Sequence, residues 1–485
     1  MSISGGLTSA LSGLTAASKA AEVVSNNIAN ATTPGYGRRV LRTSSRVVGS
    51  GGQGVRITGI SRISNPIAIR DRRLSEATVG DRSGRASFLQ RVEQALGTPD
   101  QASSLSGRIA SFDAALVEAA SRPESEARLS RAMESAKSIL QLMNTASREI
   151  QTARATADDQ ITAQVSFLNS TLEKIAEANQ QIRENQGSGR ETAGLMDERQ
   201  QLVDSISTIL PLREAERENG QIALYASDGT VILDRKAGVF GFDPVGVVTP
   251  GMTIGSGALS GLTLNGRDVR TSGDRSPITG GAMASQFAVR DELAVAAQAR
   301  LDAVARDLVE RFQDSGLDAS RAPGDPGLFT DDGAAFVAAD EPGLSQRISL
   351  NAGVDPAQGG ALWRLRDGLG ATAPGFSGDA RLLTALQGAL TLPRTPVSGG
   401  FMLGDRSFST LGADLLSGIS TARLQADGDM SFAQSHADTM RQIELQDGVD
   451  TDQEMQNLLL IEQTYAANAK VVKTISDLID LLLGM

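Results

Sequence analysis

The chain contains no cysteine, one histidine, one tryptophan and only 4% aromatic residues. Without cysteine it has neither a disulfide framework nor a thiolate metal site. A chain of this kind can also work in an oxidising space without mispairing. The single His436 excludes a two-histidine zinc motif and leaves no second histidine for acid–base work. Hydrophobic content is 40%, so cores are built from Ala, Leu, Val and Ile, a composition that favours helix bundles. Long apolar runs are missing too: the densest, near the C-terminus, is interrupted by Asp477 and Asp480, and no membrane span is expected. The N-terminus lacks a basic stretch and its apolar residues are periodic, so no secretory signal is expected either.

A length of 485 residues implies two to four domains. The net charge of −11 hides an asymmetry, because residues 1–91 carry thirteen Lys/Arg against four Asp/Glu. That stretch is therefore +9 and the remainder −20, and the basic excess begins only at Arg38. Apart from the pairs Arg38-Arg39 and Arg72-Arg73 the arginines stand singly, with almost no aromatics between them, unlike a nucleic-acid stacking surface. They are read as a solvated face or as contacts to an acidic protein partner, with nucleic-acid binding kept as a remote alternative.

Two stretches at opposite ends share one spacing. Ile3, Leu7, Ala10, Leu14, Ala17, Ala21, Val24 and Ile28 alternate by four and three, as do Leu458, Ile461, Tyr465, Asn468, Val472, Ile475, Ile479 and Leu482. This is coiled-coil seam spacing; separate amphipathic helices on a core would share it. Gly5 and Gly6 are poor helix residues, so the first helix is expected from about Leu7 to Asn30. The last is expected to begin with a capping box, Thr451 to Glu454.

Between these ends the organisation is mixed. Thr33-Pro34-Gly35-Tyr36 reads as a turn, with Pro presetting one central position and Gly supplying positive φ at the next. An extended hairpin follows, its arms near 39–48 and 55–60 around a Gly-rich tip. That tip spells G-x-G-x-x-G, but a strand-like stretch follows where dinucleotide binding requires a helix. Helices are expected at 87–96, 105–121, 125–185 and 192–210, and a hairpin around Ser227-Asp228-Gly229. Helix returns at 282–313 and 408–445, separated by loops, a strand near 347–351 and short helices at 362–369 and 380–390. The fold class is thus mainly α with an inserted β domain. Its parts are a terminal domain (1–82 with 446–485) and a long-helix bundle (83–210, 280–314, 405–445). An outer β domain (211–279) and a mixed region (315–404) complete it.

No candidate chemistry rises above background. The adjacent carboxylates Asp158-Asp159, Asp197-Glu198 and Asp291-Glu292 point about 100° apart on a helix and are read as solvated faces. His436 is read as a surface residue, Trp363 as core packing, and Asn30-Ala31-Thr32 and Asn169-Ser170-Thr171 as chance glycosylation matches.

Asn26, Asn27, Ile28, Ala29 and Asn30, followed by Thr33, Pro34, Gly35, Tyr36 and Arg38, strongly resemble the N-terminal signature of the bacterial flagellar axial proteins. That family comprises rod, hook and hook-associated subunits. The Pro-Gly-Tyr form with a following Arg looks most like the hook-associated branch at the hook–filament junction. The C-terminal run Gln463 to Val472 and the ending Leu481 to Met485 are similar to the family's last helix, and Phe287 to Leu293 to its return helix. Gly37 departs from the pattern, which has a small polar residue there. The resemblance implies export unfolded through the flagellar channel without a cleaved signal, and terminal helices that pair as a coiled coil and order against neighbours. It implies self-association in an axial ring, and contact with hook protein, a second junction protein, the export apparatus and an export chaperone. It implies no catalytic role, cofactor, metal, nucleic acid or membrane.

Overall fold

The computed structural model describes residues 3–48, 51–273, 275–314 and 316–483. Helix α1 (Ile3–Ala29) opens the chain, with Gly5 and Gly6 inside it rather than before it. Strands β1 (Arg38–Val48) and β2 (Gly51–Ile63) form the antiparallel hairpin. Gly49 and Ser50 of the expected tip, and the terminal Gly484 and Met485, lie outside the described residues.

Helix α2 (Pro66–Leu96) corrects the expected start at residue 87. It begins where the Asn65 side chain accepts from the Ile67 and Ala68 N–H groups, with Pro66 at the first helical position. It crosses residue 82 without a break. Its first half shows no apolar period because Arg72 and Arg73 face inward on ion pairs: Arg73 meets Asp204 at 2.6 Å and Glu214 at 2.8 Å.

Next come α3 (Leu105–Ser121), α4 (Glu126–Gly187) and α5 (Ala193–Ser207). At 62 residues, α4 is roughly 93 Å long. Strands β3 (Leu212–Glu216), β4 (Ile222–Ala226) and β5 (Val231–Leu233) make one antiparallel sheet. Strands β6 (Phe240–Gly241), β7 (Leu262–Leu264) and β8 (Arg267–Val269) make a second. Asn265 and Gly266, both at positive φ, turn β7 into β8. Helix α6 (Ala282–Ala288) continues through a π turn at Val289–Leu293 into α7 (Ala294–Gln313). Strand β9 (Phe329–Asp331), α8 (Leu344–Arg347), β10 (Ile348–Leu350), α9 (Arg364–Asp367) and α10 (Arg381–Thr391) follow, with β9 and β10 antiparallel. Helices α11 (Phe408–Gln446) and α12 (Thr451–Leu483) close the chain.

The fold is mainly α, with small sheets in its middle. Two apolar cores are threaded on α4. Ile139, Met143 and Ile150 join Phe88, Phe112, Phe312 and Leu411 in one; Ile161, Leu168 and Ile175 join Leu212, Leu224, Leu262 and Phe287 in the other. Between them, Asp158 and Arg290, both fully buried, pair at 2.7 Å. Arg290 also lies over the Phe287 and Phe242 rings and meets Asp291 at 2.9 Å. Asp158 is therefore not solvated and Asp291 only partly so: they hold the cation that sits where the cores meet.

Helices α2 and α11 run antiparallel. Going down α2, Arg82, Glu76, Arg72 and then the cap Asn65 meet Asp429, Arg441, Glu444 and Asp447, going up α11 and just past its end. The chain ends also lie together: Gly6 faces Ile475 and Gly13 faces Asn468, an antiparallel step of seven residues on each helix.

Candidate assembly site

The signature residues build a corner in which one amide is saturated. Asn27, 1% exposed, accepts from Tyr36 Oη and from the Arg39 backbone N–H, and donates through Nδ2 to the Arg39 carbonyl, all at 2.9 Å. Only a side chain with both donor and acceptor satisfies the three together. Residues 33–36 close as the expected turn: the Tyr36 N–H reaches the Thr33 carbonyl at 3.2 Å, with Gly35 at φ 75°. Asn30 closes α1 by donating to the Asn26 carbonyl at 2.9 Å, and Thr33 Oγ1 donates to Asn30 Oδ1. Asn26, Ala29, Thr33 and Pro34 are exposed, and Ile28 is half-buried.

Asp197 of α5 is the second centre. It accepts from the Gly37 N–H at 3.0 Å, Arg39 Nη2 at 3.0 Å and Arg62 Nε at 2.6 Å. Read from sequence as a solvated face, it is instead buried. Gln201 reaches the Pro34 carbonyl at 2.7 Å, and Arg62 reaches the Gly35 carbonyl. Gly37, the departure from the family pattern, has a reason here: a Cβ on it would lie 2.4 Å from Arg62 Nε. Its bare Cα lets the Arg62–Asp197 pair form. Burial raises the Tyr36 hydroxyl above the usual phenol value, although the Arg39 guanidinium, 5.1 Å over its ring, acts the other way.

The third centre joins the chain ends. Arg38 Nε meets Glu454 at 2.7 Å, and Glu454 is 1% exposed. This overturns the expected capping box. The cap of α12 is Asp450, whose carboxylate accepts from the Asp452 and Gln453 N–H groups; Glu454 is turned toward Arg38 instead. Beside the turn opens a cleft of about 510 Å³, lined by Tyr36, Arg38, Asn65, Arg72, Glu444 and Asp447 among others. Arg72 is held above the usual guanidinium value: burial opposes its charge, but Asp204, Glu444 and Glu76 outweigh that.

On α1, Ala10, Ala17 and Val24 of the seam are buried, Leu7, Leu14, Ala21 and Ile28 half-buried, and Ile3 exposed. On α12, Leu458, Ile461, Asn468, Val472, Ile475 and Ile479 are half-buried, while Tyr465 and Leu482 are exposed. The side of α1 facing α12 is offset from the seam toward Gly6 and Gly13, whose missing side chains allow the close approach. Met455, Leu459, Leu460, Val471, Leu478 and Leu481 of α12 are left exposed.

The remaining sequence candidates lie elsewhere. His436 is exposed and stacked on Phe432 with ring centroids 6.5 Å apart. Trp363, expected in the core, is only half-buried, with the Arg364 guanidinium over its ring. Asn169 fixes β6, exchanging hydrogen bonds with the Phe240 backbone at 2.8 Å. Among the described residues no group of His, Asp or Glu side chains is arranged to hold a metal ion, and no helix is long and apolar enough to cross a membrane.

Three family models match in chain order. The flagella basal body rod protein model covers residues 7–36, the flagellar hook-associated protein FlgK helical domain covers 89–329, and the flagellar basal body rod FlgEFG protein C-terminal model covers 446–485. The chain belongs to the flagellar hook-associated protein family. Membership places it among the structural, axial components of the flagellum. Hook-associated protein 1 of Bacillus subtilis is 25% identical over 241 residues, 47% of this chain and 47% of that protein. The Salmonella typhimurium protein of the same name is 26% identical over 231 residues, 46% of this chain and 41% of its own. The match thus spans about half the length of these relatives. A solved structure of the flagellar hook junction protein FlgK from Burkholderia pseudomallei superposes at TM-score 0.44 and 17% identity, covering 54% of this chain and 46% of that one. The first model spans most of α1 and the turn that follows it, and the last spans α12.

Proposed function

We propose that the chain is a structural subunit joining flagellar hook to filament. It assembles through its two terminal helices, packed together as a coiled coil within an axial ring. The observation that carries this reading is the joined chain ends: α1 and α12 lie together, locked at one end by Arg38–Glu454, with an apolar row of α12 still uncovered. A row such as Leu460, Val471 and Leu478 is suited to packing against neighbouring axial subunits. Hook protein and a second junction protein are the neighbours the reading requires. Export unfolded, with help from an export chaperone and the export apparatus, accords with ends that bury little until they meet.

The test is a strain lacking the chain. The expected phenotype is completed hooks with no filaments and flagellin shed into the medium. Loss of the hook itself would point instead to a rod or hook subunit, and normal filaments would refute both readings.

A further inference from the structure

The basic hairpin leaves three guanidinium groups without a carboxylate. Arg42, Arg46 and Arg56 are exposed, and their side chains have no ion-pair partner among the described residues. Arg56 pairs across the ladder with Ser44, so it shares a face with Ser44 and Arg42. Leu41, Ile57 and Ile60 are half-buried, and the hairpin packs on α1, where the Val55 N–H donates to Ser12 Oγ at 3.0 Å. The exposed Arg42, Arg46 and Arg56 make up its arginine face.

A second surface has the opposite property. Asp159, Glu173, Glu177 and Glu184 of α4 are exposed and have no ion-pair partner among the described residues. At 100° per residue they fall within a sector of about 40°, along roughly 38 Å of helix. Lys174 and Arg183 lie off this line, about 80° or more to its sides. Four aligned carboxylates repel one another, and three clustered guanidinium groups do the same; each surface is relieved by the other. Within one copy they do not meet. The hairpin runs back along α1 from the corner, so its arginines stand beside the middle of α1, away from α4.

We infer that the arginine face of the hairpin docks on the acidic ridge of α4 in a second copy of this chain. The contact is heterologous, one surface of each copy against a different surface of the next, the kind that builds rings when its rotation closes. The division of charge between residues 1–91 and the remainder supplies the complementarity. This inference rests on the axial reading above and names the lateral surface that the reading leaves open.

The test uses charge reversal in the full-length chain, produced in a flagellated strain, with the chain quantified in isolated flagella. Arg42→Glu/Arg46→Glu/Arg56→Glu and, separately, Glu173→Arg/Glu177→Arg/Glu184→Arg are each expected to lower incorporation about tenfold, since attraction becomes repulsion at three exposed pairs. Combining both sets restores it. All six positions are exposed, so the purified variants keep the parent's thermal denaturation profile, and rescue in the combination separates docking from any folding defect. Unchanged incorporation of the single sets, or no rescue in the combination, overturns the docking while the axial reading stands. If the unaltered chain is itself absent from isolated flagella, the axial reading fails and the docking with it.

Discussion

Replacing Asn27 by alanine removes three hydrogen bonds at one point, each 2.9 Å long and made by a side chain that is 1% exposed. A typical neutral hydrogen bond contributes about 1 kcal/mol net, and an orphaned backbone group raises the cost. The half-buried Tyr36 hydroxyl can turn to water, so no extra cost is counted for it. The sum is about 3 kcal/mol, confined to the corner. A chain with two cores does not unfold in one step, so a global melting midpoint would dilute the effect. Amide hydrogen exchange at Gly37 reads it directly: that N–H is bonded to Asp197, which the substitution leaves untouched. At 1.4 kcal/mol per decade, exchange there accelerates roughly a hundredfold. If Gly37 exchanges within about threefold of the parent rate, Asn27 does not hold the corner and the reasoning is refuted.

Gly37→Ala forces Arg62 from Asp197 and destabilises the corner by about 1–3 kcal/mol. Adding Arg62→Ala removes the clash, so a double-mutant cycle comes out strongly non-additive, and simple additivity would count against the account. Arg290→Met leaves Asp158 buried without its cation and costs about 3–5 kcal/mol. A lowered thermal midpoint that Asp158→Asn partly restores is the expected pattern. Asp302 is raised above the usual carboxylate value by burial, although Ser345, Gly343 and Gln298 donate to it and act the other way. The folded state therefore binds its proton more readily than the unfolded state. Its contribution is fully present below the unfolded carboxylate value and declines as pH rises through the folded one. The urea midpoint of the parent relative to Asp302→Asn should accordingly fall as pH rises from about 4 to 7; a rise would contradict the burial argument.

The sequence was legible where burial is apolar and local. The span of α3 coincides with its reading from sequence, and α4 falls within two residues of its expected ends, because Ile139, Ile150, Leu168 and Ile175 carry a helical period. The turn at Pro34 and Gly35 was legible because two residues determine it. The first half of α2 was not, since its inward face is arginine and its partners lie on α5, β3 and α11. The corner shows the same limit. Asn27 stood out in the signature, but Asp197 is 160 residues from Gly37, and nothing local distinguishes it from the exposed Glu198 beside it. Glu454 misled more actively: its position three residues after Thr451 fits a capping box, and a distant arginine claims the side chain instead. Ion pairs between remote segments leave no periodic trace.

The Arg38–Glu454 bond spans 416 residues. Its carboxylate belongs to α12, so the bond forms only once α12 has been brought back beside α1. Loops of that length close slowly, and contacts so far apart in sequence form late. The two long-helix cores draw on nearer partners and can consolidate before the ends meet. Joining of α1 and α12 is thus a late step of folding, open only to a chain that carries Glu454. A truncated product carries the arginine without its carboxylate and cannot close the lock.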